Sequence, residues 1–185
     1  MLVYLPEEKL KIEKLTALFA VLFKRAEQTV LLAGGSEPIY LPSDETHRFH
    51  RIIFKYDYFA SALHELAHWC IAGRQRRKEV DYGYWYQADG RTEHQQRLFE
   101  EVEVKPQALE WILSQASGLR FRISTDNLNG QCGDLSHFKR KIVQQAHDYL
   151  EQGMPRRALI LTQALAIHSR RECYIHPRFF QFEAL

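Results

Sequence analysis

The 185-residue chain predicts an α+β fold, mainly helical with a few short strands. Three observations carry that prediction. Several long segments repeat apolar residues every three or four positions, the period of a helix with one buried face. Short runs rich in β-branched and aromatic residues lie in the first third of the chain. Glycine and proline fall between these segments, where turns are expected.

Taken in order, residues 6 to about 28 predict an amphipathic helix. Leu10, Ile12, Leu15, Leu18, Phe19 and Leu22 recur at helical spacing with Glu and Lys between them. Pro6 stands near its start, where proline is tolerated. Residues 29–32 predict a short strand ended by Gly34 and Gly35. Pro38 and Pro42 make residues 37–42 extended, and 43–50 is a polar loop. Residues 51–56 predict a strand that leads into a helix over 58–72, with Gly73 as its stop. The basic run 74–78 reads as a solvated helix end or a contact for a partner. Residues 80–86 are strongly aromatic and form either a packed strand or a cleft wall. A turn follows at 88–90. A long helix spans 91–117, ended by Gly118 and kinked or split by Pro106. Residues 121–124 predict a short strand and 126–130 a loop. Two more helices cover 135–152 and 155–170. The aromatic tail, 173–185, packs irregularly across the surface.

Composition narrows the function classes. An apolar fraction of 45% suffices to bury a core, and the length fits a single domain, 1–185. A net charge of +2 gives no bulk electrostatic case for nucleic acid or an anionic membrane. Cys70, Cys132 and Cys173 are too few and too scattered for a disulfide scaffold. No segment is long and apolar enough to span a bilayer, and no basic stretch precedes an apolar run near the start. These features predict a soluble cytoplasmic protein.

The chemistry centres on His64-Glu65-x-x-His68. On a helix, a spacing of four brings both imidazoles to one face, where they can share a divalent ion. Glu65 sits about 100° round the helix from His64, within reach of a metal-bound water. Two histidines leave an ion under-coordinated, and the segment 99–105 offers carboxylates. Glu103, between Val102 and Val104, is the expected third ligand, because a buried carboxylate needs compensation. Glu100, three residues earlier, is the alternative or a supporting group. Such a site supports peptide hydrolysis with zinc and Glu65 as general base, or oxidation with ferrous iron. A structural ion in a protein-binding module would need a fourth ligand from His94, Cys70 or another carboxylate. Cys70 points about 200° from His68, which argues against it.

A longer set of segments is similar to a known family. His64 to Gly73 reads His-Glu-x-x-His-Trp-Cys-Ile-Ala-Gly. It is followed by Val80-Asp81-x-Gly83-Tyr84-Trp85-Tyr86, by Asp89-Gly90-Arg91 and by Phe99-Glu100-x-Val102-Glu103-Val104-Lys105-Pro106-Gln107-Ala108-Leu109. Upstream stands Glu37-Pro38-Ile39-Tyr40-Leu41-Pro42. Together these resemble the bacterial elongation factor P hydroxylases, closely from about Gly35 to Gly118 and more loosely to about Gly153. The resemblance implies an enzyme that hydroxylates the β-lysylated lysine of translation elongation factor P, the last step of that modification. It implies non-haem Fe(II) in a zincin-like arrangement, with molecular oxygen as co-substrate and a reductant that the sequence does not name. The implied ligands are His64, His68 and Glu103, with Glu65 in the motif's acid position, orienting a ligand or shuttling protons. Some of Tyr56, Tyr58, Tyr82, Tyr84, Trp85 and Tyr86 are expected to line the cleft. Asp57 and Asp81 are expected to hold the substrate's amino groups.

Overall fold

A three-stranded sheet with two helices against it organises the first half of the chain. This is seen in a computed structural model that describes residues 6–56, 58–81, 91–125, 134–171 and 175–185. The chain divides into two units, residues 1–83 and 84–185. Among the described residues the protein is mainly helical with this one small sheet, an α+β composition as expected.

In the first unit, helix α1 (Pro6–Phe23) buries Ile12, Leu15, Phe19 and Phe23 on one face. It stops five residues before the expected end. Beyond Phe23, Lys24, Arg25 and Ala26 are exposed, so no further burial supports another helical turn. Gln28 then takes a left-handed φ of 50°, and its side chain donates to the Arg25 carbonyl at 2.8 Å. Strand β1 (Thr29–Gly35) pairs in parallel with β3 (His50–Lys55), and β2 (Ile39–Leu41) pairs antiparallel on the other side of β3. The strand order is therefore β1-β3-β2.

Strand β1 runs through the two glycines that were expected to end it. The register shifts between Leu32 and Gly35, and Gly34 has φ +103°. At Gly35 a side chain has no room, since a Cβ would lie 2.7 Å from the Glu37 carbonyl oxygen. Ile52 and Phe54 alternate inward from β3. Helix α2 (Phe59–Ile71) covers that face, with Leu63 and Leu66 fully buried. Each such leucine contributes about 1.5–3 kcal/mol. Trp69 of α2 meets the rings of Phe19 and Phe23 edge-on at 5.1 and 5.0 Å, fastening α2 to α1.

The run 74–78 does not extend α2. Residues Arg76–Lys78 form a separate 3-10 turn. Arg77 pairs with Glu27 at 2.8 Å and Arg76 with Asp81 at 2.7 Å. These two arginines are tied to acids within the unit, because a turn after Ala72 brings them back toward the sheet.

In the second unit, α3 (Glu93–Ser117) begins with a capping box: Thr92 Oγ1 accepts from the Gln95 N–H, and Gln95 Oε1 accepts from the Thr92 N–H. It ends at Gly118, whose φ of 77° suits glycine. Pro106 does not split it. The proline removes one N–H donor, and Val102, one turn earlier, is half exposed, so the freed carbonyl has access to water. Helices α4 (Ser136–Gln152) and α5 (Arg156–His168) pack on α3 around Leu109, Ile112, Phe138, Ile142 and Leu161. Residues 121–124 are irregular and not a strand. In the tail, Phe180 is fully buried, with its ring 5.0 Å from that of Trp111.

The expected turn at 88–90, loop at 126–130 and most of the aromatic run 80–86 lie outside the described residues.

Candidate metal and substrate site

The two imidazoles of α2 meet as the sequence predicts. His64 Nε2 and His68 Nε2 are 3.1 Å apart, and their ring centroids are separated by 4.7 Å. The cause is local: one helical turn stacks i and i+4 on a face, and the buried flanks Leu63, Leu66 and Ala67 hold that helix against β3. The spacing tests the fit of an ion. Two nitrogens about 2.1 Å from a shared ion lie about 3 Å apart at a near-right angle. The observed pair therefore stands at ligand spacing, and both rings are half-buried and reachable.

Glu65 lies on the neighbouring side of α2 and is 8% exposed. It lines a pocket with His68, Tyr40, Ile52, Trp69, Ala72, Arg76, Arg77 and Asp81. Asp81 reaches this pocket because its backbone bridges Tyr40 in an antiparallel pair, with N···O distances of 2.6 and 3.0 Å. Its carboxylate accepts from Arg76 Nε at 2.7 Å. Tyr40 is fixed in turn, since its hydroxyl donates to the Arg77 carbonyl at 2.9 Å. His50, whose ring stacks near Tyr40, has its pKa pushed down by burial and by the charge of Arg77. Its Nδ1 accepts the Ser43 N–H at 2.8 Å, as the neutral ring can.

The comparisons with known proteins bear on this site directly. The family profile described as elongation factor P hydroxylase matches residues 18–179. A Haemophilus influenzae protein named elongation factor P lysine hydroxylase is 50% identical over 155 residues, covering 84% of this chain and 87% of that protein. This chain belongs to the elongation factor P hydroxylase family. It is accordingly an enzyme, a hydroxylase, and the expectation of that family from its motifs holds. The span matched by the family profile contains every metal and substrate residue named from the sequence.

The remaining residues of this hydroxylase fall as follows. Glu103 lies on α3 in the second unit and is buried, at 2% exposure, as expected, although the neighbouring Val102 is half exposed. Glu100, one turn earlier, is half-buried and accepts from Gln96 Nε2 at 3.2 Å. Tyr58 is exposed at the start of α2, edge-on to Tyr56 at 5.8 Å. Asp57, Tyr84 and Trp85 lie outside the described residues, as do Tyr82 and Tyr86.

Sequence reading passed over three groups. Gln107 is fully buried one turn after Glu103 and donates to it at 3.5 Å. It also donates to the Ser124 carbonyl at 2.7 Å and accepts the Ser124 N–H at 3.1 Å. Its amide thus pairs with both backbone groups of Ser124, as a neighbouring strand would. A glutamine among apolar helix positions was the available signal. Arg76 was hidden in a charge run, and Tyr40 in an extended segment, because only tertiary pairing brings them to the pocket.

Proposed function

We propose that this hydroxylase adds a hydroxyl group to the β-lysylated lysine of translation elongation factor P, using non-haem Fe(II) held by His64, His68 and Glu103. The observation that carries the reading is the His64–His68 pair at ligand spacing inside the family match. Two imidazoles and a carboxylate hold ferrous iron and keep positions open. The buried carboxylate of Glu103 supports it further, since an ion compensates its burial. We read the arrangement around α2 as zincin-like, adapted to oxygen chemistry.

Bound iron supplies the activation of molecular oxygen, the co-substrate. The chain's own residues do the rest. His64 and His68 present ring nitrogens fixed by helix packing. Glu65, nearly buried beside His68, orients a ligand or carries a proton at its carboxylate oxygen. In this reading the lysyl side chain approaches His68 from the side of the pocket that Glu65 and Asp81 line. Asp57, Tyr58, Tyr84 and Trp85 complete the substrate contacts in this reading, and Glu100 is the alternative third ligand or a supporting group. The enzyme works in the cytoplasm with its protein substrate, and the electrons for oxygen reduction come from a separate donor. No described helix is long and apolar enough to cross a membrane.

The test is the mass of the modified-lysine peptide. Iron-loaded enzyme under reducing conditions is incubated with β-lysylated factor in air, beside an anaerobic control. One oxygen atom is gained in air only, and Glu103→Ala abolishes both the gain and stoichiometric iron binding. An unchanged mass with fully metallated wild type overturns the reading and turns attention to zinc and peptide hydrolysis.

A further inference from the structure

We infer that Arg91 is a positioning residue for two carboxylates of α3. Through the Gln96 amide it sets which way Glu100 is held, and through Thr125 it steadies the segment that orients Glu103. The inference rests on the proposed function, because it takes Glu103 as the third ligand of the ion.

Arg91 stands just before the N-cap of α3 and is 3% exposed. A guanidinium keeps its charge at every pH at which a protein is folded, so burying one is costly unless its donors are used. They are used as a fork. Nε donates to Gln96 Oε1 at 3.0 Å, and Nη2 donates to the Thr125 carbonyl at 2.6 Å. The guanidinium lies 4.0 Å from the centre of the Phe99 ring, which fixes its plane. Gln96 is itself buried and passes the contact on, donating from Nε2 to Glu100 Oε1 at 3.2 Å.

The polarity of this relay follows from the chemistry of the donor. A guanidinium has no acceptor, so Gln96 turns its oxygen to Arg91, and its amide nitrogen is left to face Glu100. Glu100 therefore meets a donor and not a carbonyl oxygen, which would repel a carboxylate. Gln107 is set in the same way: its oxygen accepts the Ser124 N–H, and its Nε2 faces Glu103. The two relays meet in the backbone, since Arg91 holds Thr125 and Gln107 holds the adjacent Ser124. Glu100 and Glu103, three positions apart on α3, are thus presented as acceptors by one buried frame. The compact ammonium of a lysine lacks the planar fork that this frame needs.

The test uses Co(II) as the probe, because its visible absorption reports the ligands around it without turnover. Wild type, Glu103→Ala, Arg91→Met, Arg91→Lys, Gln96→Met and the double variant of Arg91→Met with Gln96→Met are titrated with Co(II) against a competing chelator. Each metal-free protein is melted to establish that it is folded. Arg91→Met is expected to weaken Co(II) binding about 10–100-fold, as the loss of a group that orients ligands does. Arg91→Lys weakens it as well, and it carries the same comparison should Arg91→Met fail to fold. Gln96→Met leaves Thr125 held and weakens binding less. The double variant binds no worse than Arg91→Met, because the one residue acts through the other. Additive losses, or an affinity and absorption equal to wild type in the Arg91 variants, would make Arg91 a fastening of the fold alone and overturn the inference.

Failure of the functional reading looks different. Glu103→Ala binding Co(II) as tightly as wild type refutes the ligand assignment and leaves the frame to be judged in the metal-free protein. There the side-chain amide resonances of Gln96 are expected to move in Arg91→Met to the positions of a free amide. Resonances that stay in place would refute the frame whatever the metal does.

Discussion

Replacing Gln107 by leucine tests how the buried amide supports the proposed third ligand. The side chains are similar in volume, so packing is largely kept while every polar contact is removed. Two of those contacts are good hydrogen bonds to Ser124, at 2.7 and 3.1 Å, and the third is a longer one to Glu103, at 3.5 Å. A neutral hydrogen bond contributes about 1 kcal/mol net. The two bonds to Ser124 therefore amount to about 2 kcal/mol, and the exposed edge of the Glu103 carboxylate adds about 1 kcal/mol at most. For a chain of this size that is a fall in Tm of about 4–10 °C. Glu103 also loses the group that orients it, and removing such a partner weakens metal affinity by about 10–100-fold. Melting of the metal-free protein gives the first number, and iron affinity by chelator competition gives the second. A leucine variant that melts within a degree of wild type and binds iron as tightly would refute both the support of residues 121–124 and the orientation of Glu103.

Two further expectations concern the first unit. Phe19→Ala removes a fully buried ring that touches Phe23 and Trp69 and should cost about 3–5 kcal/mol in urea unfolding; a loss below about 1 kcal/mol would place the ring outside the core. His50 is held neutral by burial and by Arg77, so its folded pKa lies below the unfolded value of 6.5. Its contribution is complete above the unfolded value and is lost as pH falls through the folded one, because the unfolded chain takes up the proton first. The drop in Tm from pH 7.5 to 5 should accordingly be steeper in wild type than in His50→Phe, and equal slopes would remove His50 from the acid sensitivity.

The sequence by itself determined whatever depends on local period and chemistry. The turn of a helix makes His64 and His68 neighbours whatever surrounds them, so the imidazole pair was legible before any fold was known. The same holds for the apolar faces of α1 and α4 and for the glycine stops at 118 and 153; Glu103 is buried as expected, although its neighbour Val102 is half exposed. The family, too, was legible, because its motifs are ordered segments of side chains. Only the tertiary structure decided the rest. That α3 passes through Pro106 unbroken depends on which face meets water. That β1 continues through Gly34 and Gly35 depends on the left-handed φ at Gly34 and on the close approach of the Glu37 carbonyl and the Ile53 side chain to Gly35. Residues 121–124 were read as a strand from their composition, yet they are irregular, and the backbone of Ser124 pairs with the Gln107 amide, 17 positions away. Arg76 appeared only as part of a charge run and Asp81 as a substrate candidate without a place, and the bridge from Tyr40 to Asp81, across 41 positions, places both beside His68. Pairings between distant residues follow from how surfaces pack, and no local pattern encodes them.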